Sequence, residues 1–116
     1  MTSDTTWLTL PDVAERLGLP VTRVREFLRE RQLLAVRREG DGVLHLPESF
    51  LIAGESGMEA IPTLRGTIFV LADAGLTDDE VMRWLLRDND ELGEAPIAAL
   101  RAGKKTVVRR IAQTSF

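Results

Sequence analysis

The stretch that most constrains the fold is Leu10 to Phe27, LPDVAERLGLPVTRVREF. Leu10, Val13, Ala14 and Leu17 recur at i, i+3, i+4 and i+7, which places them on one face of a helix. Thr9 precedes that face and is positioned to cap a free N–H of the first turn. Asp12 sits where the helix dipole favours an anion. Pro11 falls in the first turn, where no N–H is required. Gly18 ends the helix because it takes the left-handed conformation without steric cost. Pro20 then lets a second helix begin, with Val21, Val24, Phe27 and Leu28 as its buried stripe. Thr22, Arg23, Arg25, Glu26 and Arg29 point elsewhere, and the small Ala14 allows a close helix crossing.

This arrangement resembles the helix-turn-helix consensus at Val13, Ala14, Leu17, Gly18, Leu19, Val24 and Phe27. The spacing alone also fits any two-helix corner of a small α protein. The next segment separates the two readings. Leu34 to Arg37 reads as a short strand and Val43 to Leu46 as its return, around the turn Glu39-Gly40-Asp41-Gly42. Its Asp-Gly step is a hairpin signal. Pro47 then opens a short helix through Leu51. Helix, glycine turn, arginine-bearing helix, hairpin and proline-started helix together resemble the winged-helix domains of the MerR and excisionase type. That resemblance implies DNA binding, with helix 21–30 in the major groove and the hairpin wing along phosphates or in the minor groove. Thr22, Arg23, Arg25 and Glu26 would then face bases, and Arg29, Arg37 and Arg38 would touch phosphates. The sequence departs from that group at the wing tip, where Glu39 and Asp41 stand instead of positive charge. A purely structural hairpin is the other reading.

The charge balance bears on the same question. Net charge is −3 and the pI about 5.2, whereas DNA-binding domains usually present a net basic surface. The local balance differs: Arg23, Arg25, Arg29, Arg31, Arg37 and Arg38 face only Glu26 and Glu30 between Val21 and Arg38. A basic face on an acidic protein predicts moderate, salt-sensitive affinity. A chain of 116 residues makes one compact domain or two very small ones, and 44% hydrophobic residues against 28% charged predict folding. Cysteine is absent, which excludes disulfides and thiolate chemistry and fits a reducing cytoplasm. No apolar run is long enough for a membrane span and no signal pattern opens the chain, so a soluble, cytoplasmic protein is expected.

Met1 to Thr6 reads as a mobile tail, and Trp7 and Leu8 as anchors packed back onto the domain. Hydroxyls here, Thr9 included, are accessible; a phosphate would add negative charge beside the DNA face. Ala53 to Ala60, AGESGMEA, reads as a linker dividing a winged helix-turn-helix domain (1–52) from a helical domain (61–116). In the second half Leu64, Ile68, Leu71 and Ala72 follow helical spacing to Gly75. Thr77 and Glu80 form a capping box for a helix burying Val81, Trp84 and Leu85. Pro96 opens a helix ended by Gly103, and a last helix buries Val107, Val108 and Ile111 with Arg109 and Arg110 outside.

The expected fold class is therefore mainly α with a small β-hairpin wing: a winged helix-turn-helix followed by a C-terminal helical bundle. Trp84 to Ala112 resembles the C-terminal module of the Xre/MbcA/ParS antitoxins, which implies a protein partner bound through residues 84–112. The alternative function is thus an antitoxin-like or adaptor module. Together the halves resemble small actinobacterial winged-helix DNA-binding proteins, a group associated with Ser/Thr kinase signalling. This implies double-stranded DNA and a Ser/Thr kinase as partners, with Thr9 as the phosphorylation candidate.

No catalytic residue, metal site or cofactor is expected. His45 is the only histidine, and no second histidine or cysteine completes a metal site or a nucleophile–base pair. No phosphate-cradling glycine loop is present. Asp78-Asp79-Glu80 is accounted for by the helix dipole and cap after Thr77. Lys104-Lys105 and Arg109-Arg110 read as solvated helix faces, or as phosphate contacts if the second half approaches the duplex.

Overall fold

In the computed structural model, strand β1 (Trp7–Thr9) runs without a linker into helix α1 (Leu10–Leu17). The description covers residues 5–38, 40 and 42–116. The expected tail over residues 1–4 and the acidic wing tip of Glu39 and Asp41 lie outside the described residues. Thr9 caps α1: its Oγ1 accepts from the Asp12 N–H at 3.3 Å, and Asp12 Oδ2 accepts from the Thr9 N–H at 3.2 Å. Gly18 closes the helix at φ +69°, with its N–H directed at Ala14 and Glu15 carbonyls. Helix α2 (Val21–Arg29) follows directly.

Strands β2 (Val36–Arg37) and β3 (Leu44–Pro47) form the expected hairpin, and β1 adds to it antiparallel in the order β1-β3-β2. The register places Leu8 opposite Leu46 and Thr9 opposite His45. The sequence marks Trp7 and Leu8 only as packing anchors. Three residues are too few to display the period-2 alternation that marks a strand.

A 3₁₀ turn (Glu48–Phe50) leads into β4 (Leu51–Gly54), paired antiparallel with β5 (Gly57–Ala60). This second hairpin occupies the stretch expected as a linker. Its glycines and glutamates suggested a linker, and β5 is largely exposed, so it carries no apolar pattern. What makes it a hairpin is the two-residue turn between Gly54 and Gly57, with Gly57 at φ +126°.

Four helices complete the chain: α3 (Leu64–Asp73), α4 (Asp78–Leu86), α5 (Pro96–Arg101) and α6 (Lys105–Thr114). The expected capping box of Thr77 and Glu80 forms. Hydrogen bonds from the Thr77 N–H and hydroxyl hold the Glu80 carboxyl below its ordinary value. The contribution of this cap is therefore present above the ordinary carboxylate range and fades as pH falls through the depressed pKa. Arg109 departs from expectation. It is half-buried, its guanidinium lying over Gly66 so closely that a Cβ there would come within 2.1 Å of Nη2.

One hydrophobic cluster runs through both halves, from Leu8, Val13, Val24, Leu46 and Phe50 to Leu64, Ile68, Leu85, Leu100 and Val108. Arginines tie its rim. Arg101 Nη1 donates to the Ser49 carbonyl at 2.9 Å and the Leu51 carbonyl at 2.6 Å. Arg65 Nε donates to the Glu30 carbonyl at 2.8 Å, and Arg31 pairs with Asp78 at 2.8 Å. Arg31 itself holds φ +63°, unusual outside glycine, as it turns the chain out of α2.

Arg101→Ala should leave two backbone carbonyls short of a donor and cost about 1–3 kcal/mol. The expected readout is a lower urea midpoint with one transition preserved, since both halves share a core.

Candidate nucleic-acid interface

The outer surface of α2 follows from its buried one. Val24 is fully buried, and Val21, Phe27 and Leu28 are half-buried against the core. At 100° per residue this turns Thr22, Glu26 and Arg29 outward and leaves Arg25 and Arg23 on opposite edges. Thr22, Arg23, Arg25 and Arg29 are exposed and Glu26 partly so. Arg23 pairs with Glu26 one turn on and lies 5.0 Å from the centroid of the Phe27 ring. Arg25 faces the wing. It lines a cleft of about 350 Å³ with Leu10 and Pro11 of α1 and with Arg37, Gly42 and Leu44 of the hairpin. Among the described residues neither Arg25 nor Arg29 has an ion-pair partner.

The two wing arginines do not share a surface. Adjacent residues of a strand point to opposite faces of the sheet. Arg37 faces the Arg25 cleft, and its Nη1 donates to the Gly42 carbonyl at 2.8 Å, bracing the hairpin turn. Arg38 turns to the other face and stacks over Trp7 at 4.3 Å from the ring centroid, beside α4. The winged-helix resemblance implies that both arginines reach phosphates. The alternation aligns only Arg37 with the α2 surface.

Thr9 is half-buried, and its hydroxyl oxygen is engaged by the first turn of α1. It stands one residue from Leu10, which lines the Arg25–Arg37 cleft. His45 is spent structurally: its Nδ1–H donates to the Val43 carbonyl at 2.8 Å. Among the described residues no group of three or more His, Cys, Asp or Glu side chains could hold a metal ion. No helix among them is long and apolar enough to cross a membrane. The bracing roles of Arg31, Arg65 and Arg101 are not legible in the sequence, because a guanidinium directed at a carbonyl or carboxylate 35 to 52 positions away leaves no local pattern.

Comparison with known proteins matches both halves. Residues 1–51 fit the family described as "DNA-binding protein Rv2175c, wHTH domain". Residues 61–115 fit "Rv2175c C-terminal domain of unknown function". The DNA-binding protein Rv2175c of Mycobacterium tuberculosis (strain ATCC 25618 / H37Rv) is 39% identical over 114 residues, spanning 87% of this chain and 75% of the relative. The NMR structure of Rv2175c superposes with a TM-score of 0.82 at 35% identity, covering 99% of this chain and 84% of that one.

Thr9→Val keeps the β-branched shape that β1 favours and removes only the capping acceptor. It should cost about 1 kcal/mol. Hydrogen exchange should quicken first at the amides of Asp12 and Val13, while β3 stays protected.

Proposed function

Because this chain belongs to the Rv2175c family of winged helix-turn-helix DNA-binding proteins, we propose that it binds double-stranded DNA as a transcriptional regulator, in the MerR-like manner. The observation that carries the reading is the pair of arginines facing each other across one cleft, Arg25 from α2 and Arg37 from the wing. Helix α2 lies in the major groove. Thr22 and Glu26 stand at its centre, with Arg23 and Arg25 at its edges placed for bidentate contacts to guanine. Arg29 and Arg37 hold phosphates on either side, and Arg38, turned to the other face of the wing over Trp7, takes no part. The Arg23–Glu26 pair opens on docking at little cost, since an exposed pair is worth under about 1 kcal/mol. The net charge of −3 keeps non-specific affinity low, and the arginine–phosphate contacts make binding fall with salt.

Fluorescence anisotropy with a duplex chosen by site selection tests this. Ala at Arg23 and Arg25 together should cost about 1–3 kcal/mol per residue and relax specificity at the contacted positions. Arg37→Ala should weaken all sequences alike and lower the salt slope by about 1. Unchanged affinity in the double variant would remove α2 as the reading helix.

Phosphorylation of Thr9 by a Ser/Thr kinase is the proposed control. A phosphate there exchanges the capping oxygen for a dianion beside Asp12 and next to the Arg25–Arg37 cleft. Thr9→Glu should accordingly weaken duplex binding more than Thr9→Val does. Equal effects of the two would mean that the cap, and not the charge, matters.

A second reading has one observation in its favour. Half-buried Trp84 and Phe116, 59% exposed, line a cleft of about 380 Å³ with Leu76. An antitoxin-like or adaptor role for residues 84–112 would use the Trp84 to Asn89 side of that cleft for a protein partner.

A further inference from the structure

The back of the wing sheet carries a second concave surface, separate from the face of α2. Between the sheet and α4 lies a cleft of about 520 Å³. Val36, Met82 and Leu86 supply its apolar part, Trp7 and Arg38 one wall, and Arg83 and Arg87 the other. Asp79 is its one acidic member. Three guanidiniums thus converge on apolar ground in a protein whose net charge is −3.

Their pairing state is the informative part. Arg16, Arg23, Arg31 and Lys104 each have a carboxylate partner. Among the described residues Arg38, Arg83 and Arg87 form no such close ion pair, and the charge of Arg83 is met only at a distance by Glu80, one turn earlier on α4. Arg83 and Arg87, four apart and both exposed, are set to grip one anion from the same side. Opposite them the Arg38 guanidinium sits over the Trp7 ring, 4.3 Å from its centroid, and a guanidinium–indole pair can take a further flat group against it. The volume is in the range of small-molecule sites, which combine apolar walls with a few charged groups.

We propose that this cleft binds a small amphipathic organic anion, a flat apolar body carrying a carboxylate, sulfonate or phosphate. The acid group sits between Arg83 and Arg87, and the flat body lies on Val36, Met82 and the Arg38–Trp7 pair. A nucleic-acid backbone is a poorer fit, because phosphates need no apolar ground and the cleft faces away from Arg25 and Arg37. A bound anion would bridge the wing strands and α4, joining the two halves of the chain. The inference stands independently of the DNA reading.

The test uses the full chain, ¹⁵N-labelled, titrated with 8-anilinonaphthalene-1-sulfonate and with the neutral N-phenyl-1-naphthylamine. The sulfonate should shift the Trp7 indole and residues 36–38 and 82–87 saturably. The neutral analogue should bind about tenfold more weakly, the worth of one charge-assisted contact. R83A/R87A should lower sulfonate affinity by a similar factor and leave duplex binding unchanged. Equal affinity for the two probes, or shifts outside the cleft, overturns the proposal on the unmodified protein. Weakened duplex binding by R83A/R87A would assign these arginines to the nucleic-acid surface and overturn it as well.

Discussion

The structure depends first on the pairing of β1 with β3. Three residues, Trp7 to Thr9, are tied to the wing by Leu8 opposite Leu46 and Thr9 opposite His45. The chain then enters α1 with no intervening residue, and Thr9 serves as strand end and N-cap at once. The wing therefore sets where α1 begins, and the left-handed Gly18 sets where it ends. Position and direction of α2 follow, because α1 and α2 pack across Val13, Ala14 and Val24. The relation between α2 and the wing that results is what sets Arg25 and Arg37 on one cleft.

The second half joins this frame through a shared core and through arginines. Arg101 donates to two carbonyls around Leu51, and Arg65 to the last turn of α2. Such bonds satisfy carbonyls at element ends that would otherwise be left without a donor. They also tie α3 to the end of α2 and α5 to the 3₁₀ turn, while the Arg31–Asp78 pair ties the first turn of α4 to the same body. A change at α4 thus has a physical route to the wing: β2 lies against α4, and the cleft between them holds Arg38.

Arginine is the residue through which this acidic chain does most of its polar work, and geometry divides the thirteen of them by task. Arg65 and Arg101 brace the backbone, and Arg31 pairs with Asp78. Arg109 fills the gap opposite Gly66. Arg25, Arg29 and Arg37 stand around the cleft and outer face of α2, and Arg38, Arg83 and Arg87 around the cleft behind the wing. Identical side chains acquire different roles because a guanidinium can donate to a carbonyl, pair with a carboxylate or stack on an aromatic ring.

Local chemistry decided what the sequence by itself could determine. The Gly18 turn between α1 and α2, the caps at Thr9 and Thr77, the β2–β3 hairpin and the start of α5 at Pro96 all rest on contacts within ten positions. So do the outward positions of Thr22, Arg23, Arg25 and Arg29, since the buried stripe of a helix defines its exposed face. Only the tertiary structure decided the rest. It recruited β1 to the wing, made a hairpin of residues 51–60 where glycine and glutamate suggested a linker, and laid Arg109 across Gly66. It also sent Arg37 and Arg38 to opposite faces, with different neighbours on each. The physical reason is one of range: helix periodicity, caps and turns are encoded in neighbouring residues, whereas strand recruitment and the side-chain environment depend on partners far along the chain.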